Sequence, residues 1–363
     1  MSTSPLPASA TSQITIDETR QLVNEYLSAY FADKITKATK VHPSYAKLWE
    51  AIDSLFNSGG KRFRPYMMLL AYQAAGGARP IQDILPAASA QEIVHFAMLV
   101  HDDIIDRDIV RWGAPNIAGQ YRQAYASKLS PEDAEHYANA TAILAGDLLL
   151  SGAYELTNRL PFQPSAVTKA SQALSDAIFA VSGGELIDTE SAFIDSPATA
   201  ETIATHKTAS YSFIGPFVMG AQLAEASEEF LGAISTFGLH LGIAFQLQDD
   251  LLSVFGDSSI TGKTTIGDIR EGKRTYLIEQ LYLHATAEQV QQFELLYGKA
   301  DITDEDADIV RVLLKESGAE QATKARIEYF SVQAETALRQ LQLQQPYHDA
   351  FERLIALCTK RAK

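Results

Sequence analysis

Apolar residues recur at three- and four-residue steps almost throughout this chain, and that period is what most narrows the folds open to it. It runs through "LVNEYLSAYFADKI" (22–35), "YAKLWEAIDSLF" (45–56), "EIVHFAMLVHDDIID" (92–106), "ATAILAGDLLLSGAYELT" (140–157) and "LHLGIAFQLQDDLLSVFG" (239–256). Steps of three and four put side chains on one face of an α-helix. No run alternates strictly between apolar and polar residues, so no sheet is expected. Pro43, Gly59, Gly60, Pro65, Gly76, Gly77, Pro115, Pro131, Pro161, Pro164 and Pro197 fall mostly between the periodic segments, as turn residues do. Several segments are apolar around most of the cylinder, which suits helices at the centre of a bundle. The expected fold class is all-α, a single large helical bundle around a central apolar cavity. Residues 1–14 read as a disordered tail, 15–363 as the helical domain, and 256–273 as a looser stretch within it.

Composition removes several functions. Hydrophobic residues make up 46% of the 363, enough for one large core. A formal charge of −15 argues against binding nucleic acid, whose phosphates need a basic face. The single cysteine, Cys358, leaves no disulfide framework and no cysteine zinc site, and fits a reducing cytoplasm. The opening "MSTSPLPASATSQ" has no basic segment followed by an apolar run, so it does not read as a signal peptide. No uninterrupted apolar run approaches the roughly 18 residues of a membrane span.

Chemistry concentrates in two acidic clusters. "HDDIIDRDIVRWG" (101–113) puts Asp102 and Asp106 one above the other on a helix face with Asp103 beside them. Like charges at that spacing repel unless a cation lies over them. "FQLQDDLLSVFGD" (245–257) repeats the arrangement with Gln246, Asp249, Asp250 and Ser253. An acidic helix face is more often simply solvated. Here both clusters end apolar segments, which marks them as the mouth of an apolar cavity. Both are also followed by basic residues: Arg107 and Arg111 after the first, Lys263, Arg270, Lys273 and Arg274 after the second. Carboxylates alternating with cations suit a polyanion bridged through Mg²⁺, a hard ion that takes oxygen ligands and keeps phosphates in its shell.

With these motifs in place the chain resembles the trans-isoprenyl diphosphate synthases. "DDIID" and "DDLLS" match the family's two aspartate-rich motifs, and "GGKRFRP" (59–65), "AGDLLL" (145–150), "HKTASYSF" (206–213) and "TGKTTIGDIREGKRT" (261–275) stand around them in the family's order. The resemblance implies a Mg²⁺-dependent prenyltransferase. Its allylic diphosphate ionises against metal held between the two motifs, and the double bond of isopentenyl diphosphate attacks the resulting cation. Asp102 and Asp106, with Asp103 in support, match the first metal site, and Asp249 matches the ligand opposite. Arg111, Lys207 and Lys263 match the cations on the allylic diphosphate, and Lys273 joins the substrate-binding set. Gln246 and Thr208 match orienting groups near the reacting carbon. Lys61, Arg64 and His95 match the pocket for the diphosphate of isopentenyl diphosphate. The resemblance also implies a homodimer.

Taken alone, several of these residues have plainer readings. Lys207 and Lys263 would pass for surface lysines. Lys61, Arg62 and Arg64 could be a solvated cluster before a helix, although Gly59-Gly60 and Pro65 make a turn whose N–H groups also attract phosphate. His95 could be a core histidine, but it lies seven residues before Asp102, two turns below it on the same face. Met67, Met68 and Met98 read as core or cavity lining.

The chain departs from the family at two positions. Trp112 stands where a second arginine is usual, which predicts weak binding of isopentenyl diphosphate, since an indole is a single neutral donor. Ser253 replaces the third aspartate of the second motif. Two other readings stay open: a non-catalytic subunit, favoured only by Trp112, and a class I terpene cyclase, disfavoured by the second Asp-Asp pair and by "GGKRFRP". The residues four and five before Asp102 are Met98 and Ala97, neither aromatic, and Phe96 points elsewhere by helical spacing. That predicts a product tunnel closing near Ile93 and Val94 and a geranylgeranyl product, with farnesyl diphosphate if Met98 is the floor.

Overall fold

The computed structural model describes residues 13–191, 193–194, 198–256 and 266–360. The chain runs through α1 (Ile16–Val41), α2 (Pro43–Asn57), α3 (Phe63–Ala74) and α4 (Ile81–Ile105), then a short hairpin of β1 (Val110–Arg111) and β2 (Ala114–Pro115). After it come α5 (Ile117–Tyr125), α6 (Pro131–Asn158), α7 (Pro164–Ser191) and α8 (Ala200–Ile203). A π-helical segment (Ala204–Ile214) leads into α9 (Gly215–Leu223) and α10 (Glu228–Phe255). The remainder is α11 (Gly267–Glu271), α12 (Tyr276–His284), α13 (Ala287–Glu294), α14 (Asp304–Glu316), α15 (Ala319–Gln340) and α16 (Gln345–Thr359).

Local chemistry sets the ends of these helices. Pro43, Pro131 and Pro164, read as punctuation, are each the first residue of a helix, where the missing N–H costs nothing. Ser130 and Ser227 cap α6 and α10 by accepting from the N–H groups of Asp133 and Phe230. Helix α10 passes between two cores. Ile234, Phe237 and Leu241 face one side with Phe217 and Phe351, while Ala244, Leu247 and Leu251 face the other with Leu277, Leu281 and Leu314. Burying side chains of this size stabilises by roughly 1.5–3 kcal/mol each. By length and composition α10 could cross a membrane, although polar residues such as Ser235, Thr236 and His240 interrupt its apolar run. Its apolar residues are instead committed to these two cores.

The fold class is all-α, as the periodicity predicted, and it corrects the sequence reading in detail. A small sheet does exist: Val110 pairs with Pro115 and Arg111 with Ala114 around a turn at Trp112 and Gly113. Two-residue strands are too short to show alternation. Ile14, counted with the tail, is buried and donates its N–H to Gln73 Oε1 at 3.1 Å. Residues 1–12 of that tail lie outside the described residues. Within the stretch read as loose, 267–271 form α11, and 257–265, with Lys263, lie outside the described residues. Met67 and Met68 are core residues.

Candidate active site

The C-terminal ends of α4 and α10 carry the two aspartate clusters, and α7 and the π-helical segment close the space between them. The π segment holds Lys207 and Thr208. π-Helical register is rare and gathers at functional sites. Its approach to α7 depends on Gly184, where a Cβ would stand 2.2 Å from the Lys207 backbone nitrogen. No residue larger than glycine fits there without moving the lysine.

Lys207 is the hub. Its Nζ lies 2.5 Å from Asp188 Oδ2, 3.0 Å from Glu185 Oε2 and 3.9 Å from Asp102 Oδ1. Burial by itself would favour the neutral amine, but the carboxylates of Asp188 and Glu185 outweigh it and hold Lys207 as ammonium. Glu185 and Asp188 are site residues that the sequence reading missed. Their signal was "GGELID", a close-packing glycine followed by two carboxylates one turn apart.

Arg111 serves the first cluster. Its Nε and Nη2 lie 2.8 and 2.6 Å from Asp103 Oδ1, and Nη2 reaches Asp102 Oδ2 at 3.4 Å. Burial pushes the Asp103 carboxyl up to about 6 against the pull of Arg111. Asp102 is raised too, first by burial and then by Asp106, with Lys207 and Arg111 opposing.

From the π segment Thr208 donates its hydroxyl to Gln246 Oε1 on α10 at 2.5 Å, and Gln246 donates from Nε2 to Asp250 Oδ1 at 2.7 Å. Burial lifts the Asp250 carboxyl to about 8, with Asp268, Asp249 and Asp188 adding to the rise and Gln246 opposing it. Asp250 therefore senses carboxylates on α7, α10 and α11. Asp249 lies partly buried beside it. Lys273 pairs with Glu271 at 2.9 Å and Asp268 at 4.0 Å, and its charge also bears on Asp102 and Asp106. Lys273 thus adds positive charge to the first cluster.

A second group lies lower on α4. Arg64 donates from Nη2 to Ser212 Oγ at 2.6 Å and to Tyr211 OH at 3.2 Å, and its guanidinium stands over the Tyr211 ring. Tyr211 OH is 3.4 Å from His95 Nδ1. Burial, reinforced by Arg64, Arg111 and Arg62, holds the His95 imidazolium well below its usual pKa. This histidine can offer hydrogen bonds but not a charge. Lys61 is exposed at the lip. Arg62 turns inward instead of joining a solvated cluster. It donates to Asn24, the Phe56 carbonyl and Glu92, and is 3% exposed.

The donor set fits a hard divalent cation. Asp103 Oδ2 is buried without a hydrogen-bond partner, and the contacts to Asp102 from Arg111 and Lys207 are long enough to leave its oxygens available. Arg64 Nε is likewise buried without a partner, as a group awaiting an anion would be.

Two acidic clusters at helix C-termini with lysine and arginine beside them, in an all-helical bundle, define a diphosphate-handling synthase of the isoprenoid type. Residues 45–314 match the family described as Polyprenyl synthetase, and the chain belongs to that family of trans-prenyltransferases. It is 33% identical over 299 residues to a geranylgeranyl diphosphate synthase of Sulfolobus acidocaldarius, covering 76% of this chain and 84% of that one. It is 34% identical over 230 residues to a (2E,6E)-farnesyl diphosphate synthase of Mycobacterium tuberculosis, covering 63% of this chain and 58% of that one. The crystal structure of a geranylgeranyl pyrophosphate synthase from Corynebacterium glutamicum, complexed with isoprenyl diphosphate and magnesium, superimposes with a TM-score of 0.89 at 28% identity. That likeness covers 96% of this chain and all of the other.

Proposed function

We propose that this chain condenses isopentenyl diphosphate with an allylic diphosphate in a Mg²⁺-dependent reaction, and that its main product is geranylgeranyl diphosphate. The observation that carries the reading is the gathering of Asp102, Glu185 and Asp188 on Lys207, with Asp188 also acting on Asp250 at the end of the Thr208–Gln246–Asp250 chain. Asp102, Asp103, Asp106 and Asp249 are the residues that would hold Mg²⁺. When bound, it supplies Lewis-acid stabilisation of the charge that develops on the leaving diphosphate.

The chain's own groups do the rest. Lys207, Arg111 and Lys273 offer positive charge to the allylic diphosphate, and Lys263 is assigned there by the family motif. Thr208 and Gln246, hydrogen-bonded to each other, are assigned by the family motif beside the allylic carbon, where they orient it. Lys61 and Arg64 bind the second diphosphate, with neutral His95 contributing a hydrogen bond. The allylic C–O bond breaks with diphosphate as leaving group, the double bond of isopentenyl diphosphate attacks the allylic cation so formed, and the proton lost from the new chain passes to the released diphosphate.

Product length follows from α4. Ala97 is fully buried and small, while Phe96 is turned toward Phe56 and Trp112, with ring centroids 5.8 and 6.5 Å away. With no aromatic at 97 or 98, the tunnel gains about one helical turn, ~5.4 Å, or roughly one isoprene unit. Incubating the protein with Mg²⁺, isopentenyl diphosphate and each short allylic primer tests this directly. Twenty-carbon diphosphate is expected, and Ala97→Phe should shift it to fifteen. A fifteen-carbon product unchanged by that substitution would put the floor elsewhere. No condensation with any primer would favour the subunit reading, and a cyclised hydrocarbon the cyclase.

We further propose that the chain works as a homodimer in the cytoplasm. Phe179 and Leu186 on α7, with Phe193 just beyond it, recur at seven-residue steps and are 84%, 70% and 77% exposed. An apolar stripe of this kind marks an interaction face. Sedimentation should return a dimer, and Phe179→Asp with Leu186→Asp should return a monomer. A wild-type chain that is monomeric at micromolar concentration would contradict the pairing. The buried single thiol, Cys358, fits a reducing compartment.

A further inference from the structure

Trp112 occupies a position where its backbone is strained. With Gly113 it forms the two-residue turn of the hairpin, at φ 53° and 77°. Both central residues of such a turn need positive φ, which glycine and asparagine accept and a bulky aromatic resists. A residue held there must be over-determined by its surroundings. The indole ring stacks on Phe96 at 18° between planes, and Phe96 packs edge-on against Phe56. The Arg62 guanidinium covers the other end, 3.7 Å from the centre of the Phe56 ring. The column Trp112–Phe96–Phe56–Arg62 therefore links the hairpin tip to the start of α3.

The loop carrying Lys61 is caught along this column. At Gly59 a Cβ would stand 2.7 Å from indole atoms Cγ and Cδ2, so the loop backbone lies against the ring. Three residues on, Arg62 sits at φ 54° with its side chain tied to Asn24 on α1, Phe56 on α2 and Glu92 on α4. Lys61 projects between two fixed points. The next residue before the turn is Arg111, which grips Asp103.

We propose that Trp112 is a positioning residue that fixes the Lys61 loop against α4, so that the pocket for the second diphosphate is set by packing and not by a second arginine. This rests on the reading of Lys61, Arg64 and His95 as that pocket. It reverses the expectation from sequence alone, that Trp112 is only a missing cation and weakens isopentenyl diphosphate binding.

Steady-state KM values for isopentenyl diphosphate and for the allylic primer test it. Trp112→Ala and Trp112→Arg should each raise the isopentenyl diphosphate KM about tenfold, 1.4 kcal/mol, with the primer KM moving less than about twofold. Trp112→Phe, which keeps a ring on Phe96, should recover most of the loss. Gly59→Ala, which pushes the loop off the indole, should reproduce the phenotype in wild type and add little in Trp112→Ala. It also serves if the Trp112 variants fail to fold. A lower isopentenyl diphosphate KM in Trp112→Arg, or an unchanged one in Trp112→Ala and Gly59→Ala, overturns the proposal. Lys61→Ala separates the two readings. If it leaves that KM unchanged, the pocket assignment has failed and Trp112 has no diphosphate loop to position.

Discussion

Asp102→Asn is expected to lower kcat by roughly 10³-fold or more, because a Lewis-acid metal contributes several kcal/mol of charge stabilisation and each 1.36 kcal/mol is a decade of rate. The folded state should hardly notice. Asp102 is flanked by the like charge of Asp106, and its own contacts to Arg111 and Lys207 are long, at 3.4 and 3.9 Å. Both cations keep closer partners, Arg111 on Asp103 and Lys207 on Glu185 and Asp188. Losing a partly exposed ion pair of this kind changes stability by less than about 1 kcal/mol. Turnover at saturating Mg²⁺ together with thermal denaturation reads both quantities. Asp249→Asn should behave alike, since it is assigned to the opposite side of the same metal site. Turnover within about tenfold of wild type in either variant would remove that residue from the ionisation step.

Lys207→Ala should be worse for the fold and severe for the reaction. A charge-assisted contact to a diphosphate is worth about 1.5–3 kcal/mol, so kcat/KM for the allylic primer should fall by roughly 10- to 150-fold. The substitution also strands Asp102, Glu185 and Asp188 around an empty centre. Stranding a fully buried charge costs about 3–5 kcal/mol. These carboxylates are about a quarter exposed, at 25%, 18% and 27%, so water screens them and a loss of about 1–2 kcal/mol is the reasonable scale. Adding Glu185→Gln and Asp188→Asn to Lys207→Ala should restore most of the stability without restoring turnover. If the triple variant recovers both, Lys207 is only a counter-ion for its own neighbours and has no role on the substrate. If Lys207→Ala melts like wild type, the hub does not contribute to the fold.

The helices and the two aspartate clusters were legible in the sequence because both depend on short-range spacing. A three- and four-residue apolar period identifies a buried helix face, so the segments at 22–35, 45–56 and 140–157 fall within helices, and those at 92–106 and 239–256 end on the C-caps of α4 and α10. The same spacing puts Asp102 over Asp106 and Gln246 over Asp250 whatever α4 and α10 pack against. Tertiary structure alone decided what those faces meet. Glu185 and Asp188 reach Lys207 across 22 and 19 residues, and neither carries a periodic signal that points to a lysine on another segment. The π-helical register that presents Lys207 and Thr208, and the close approach of that backbone to Gly184, are properties that side-chain periodicity does not record. Arg62 and Trp112 make the point most sharply. In sequence one is a charge in a basic run and the other a gap in a motif. A left-handed backbone at each and the rings of Phe56 and Phe96 between them turn both into packing residues. Spacing along a chain fixes which residues share a face, whereas the partner on that face is chosen by long-range packing, where one missing Cβ or one positive φ decides the approach.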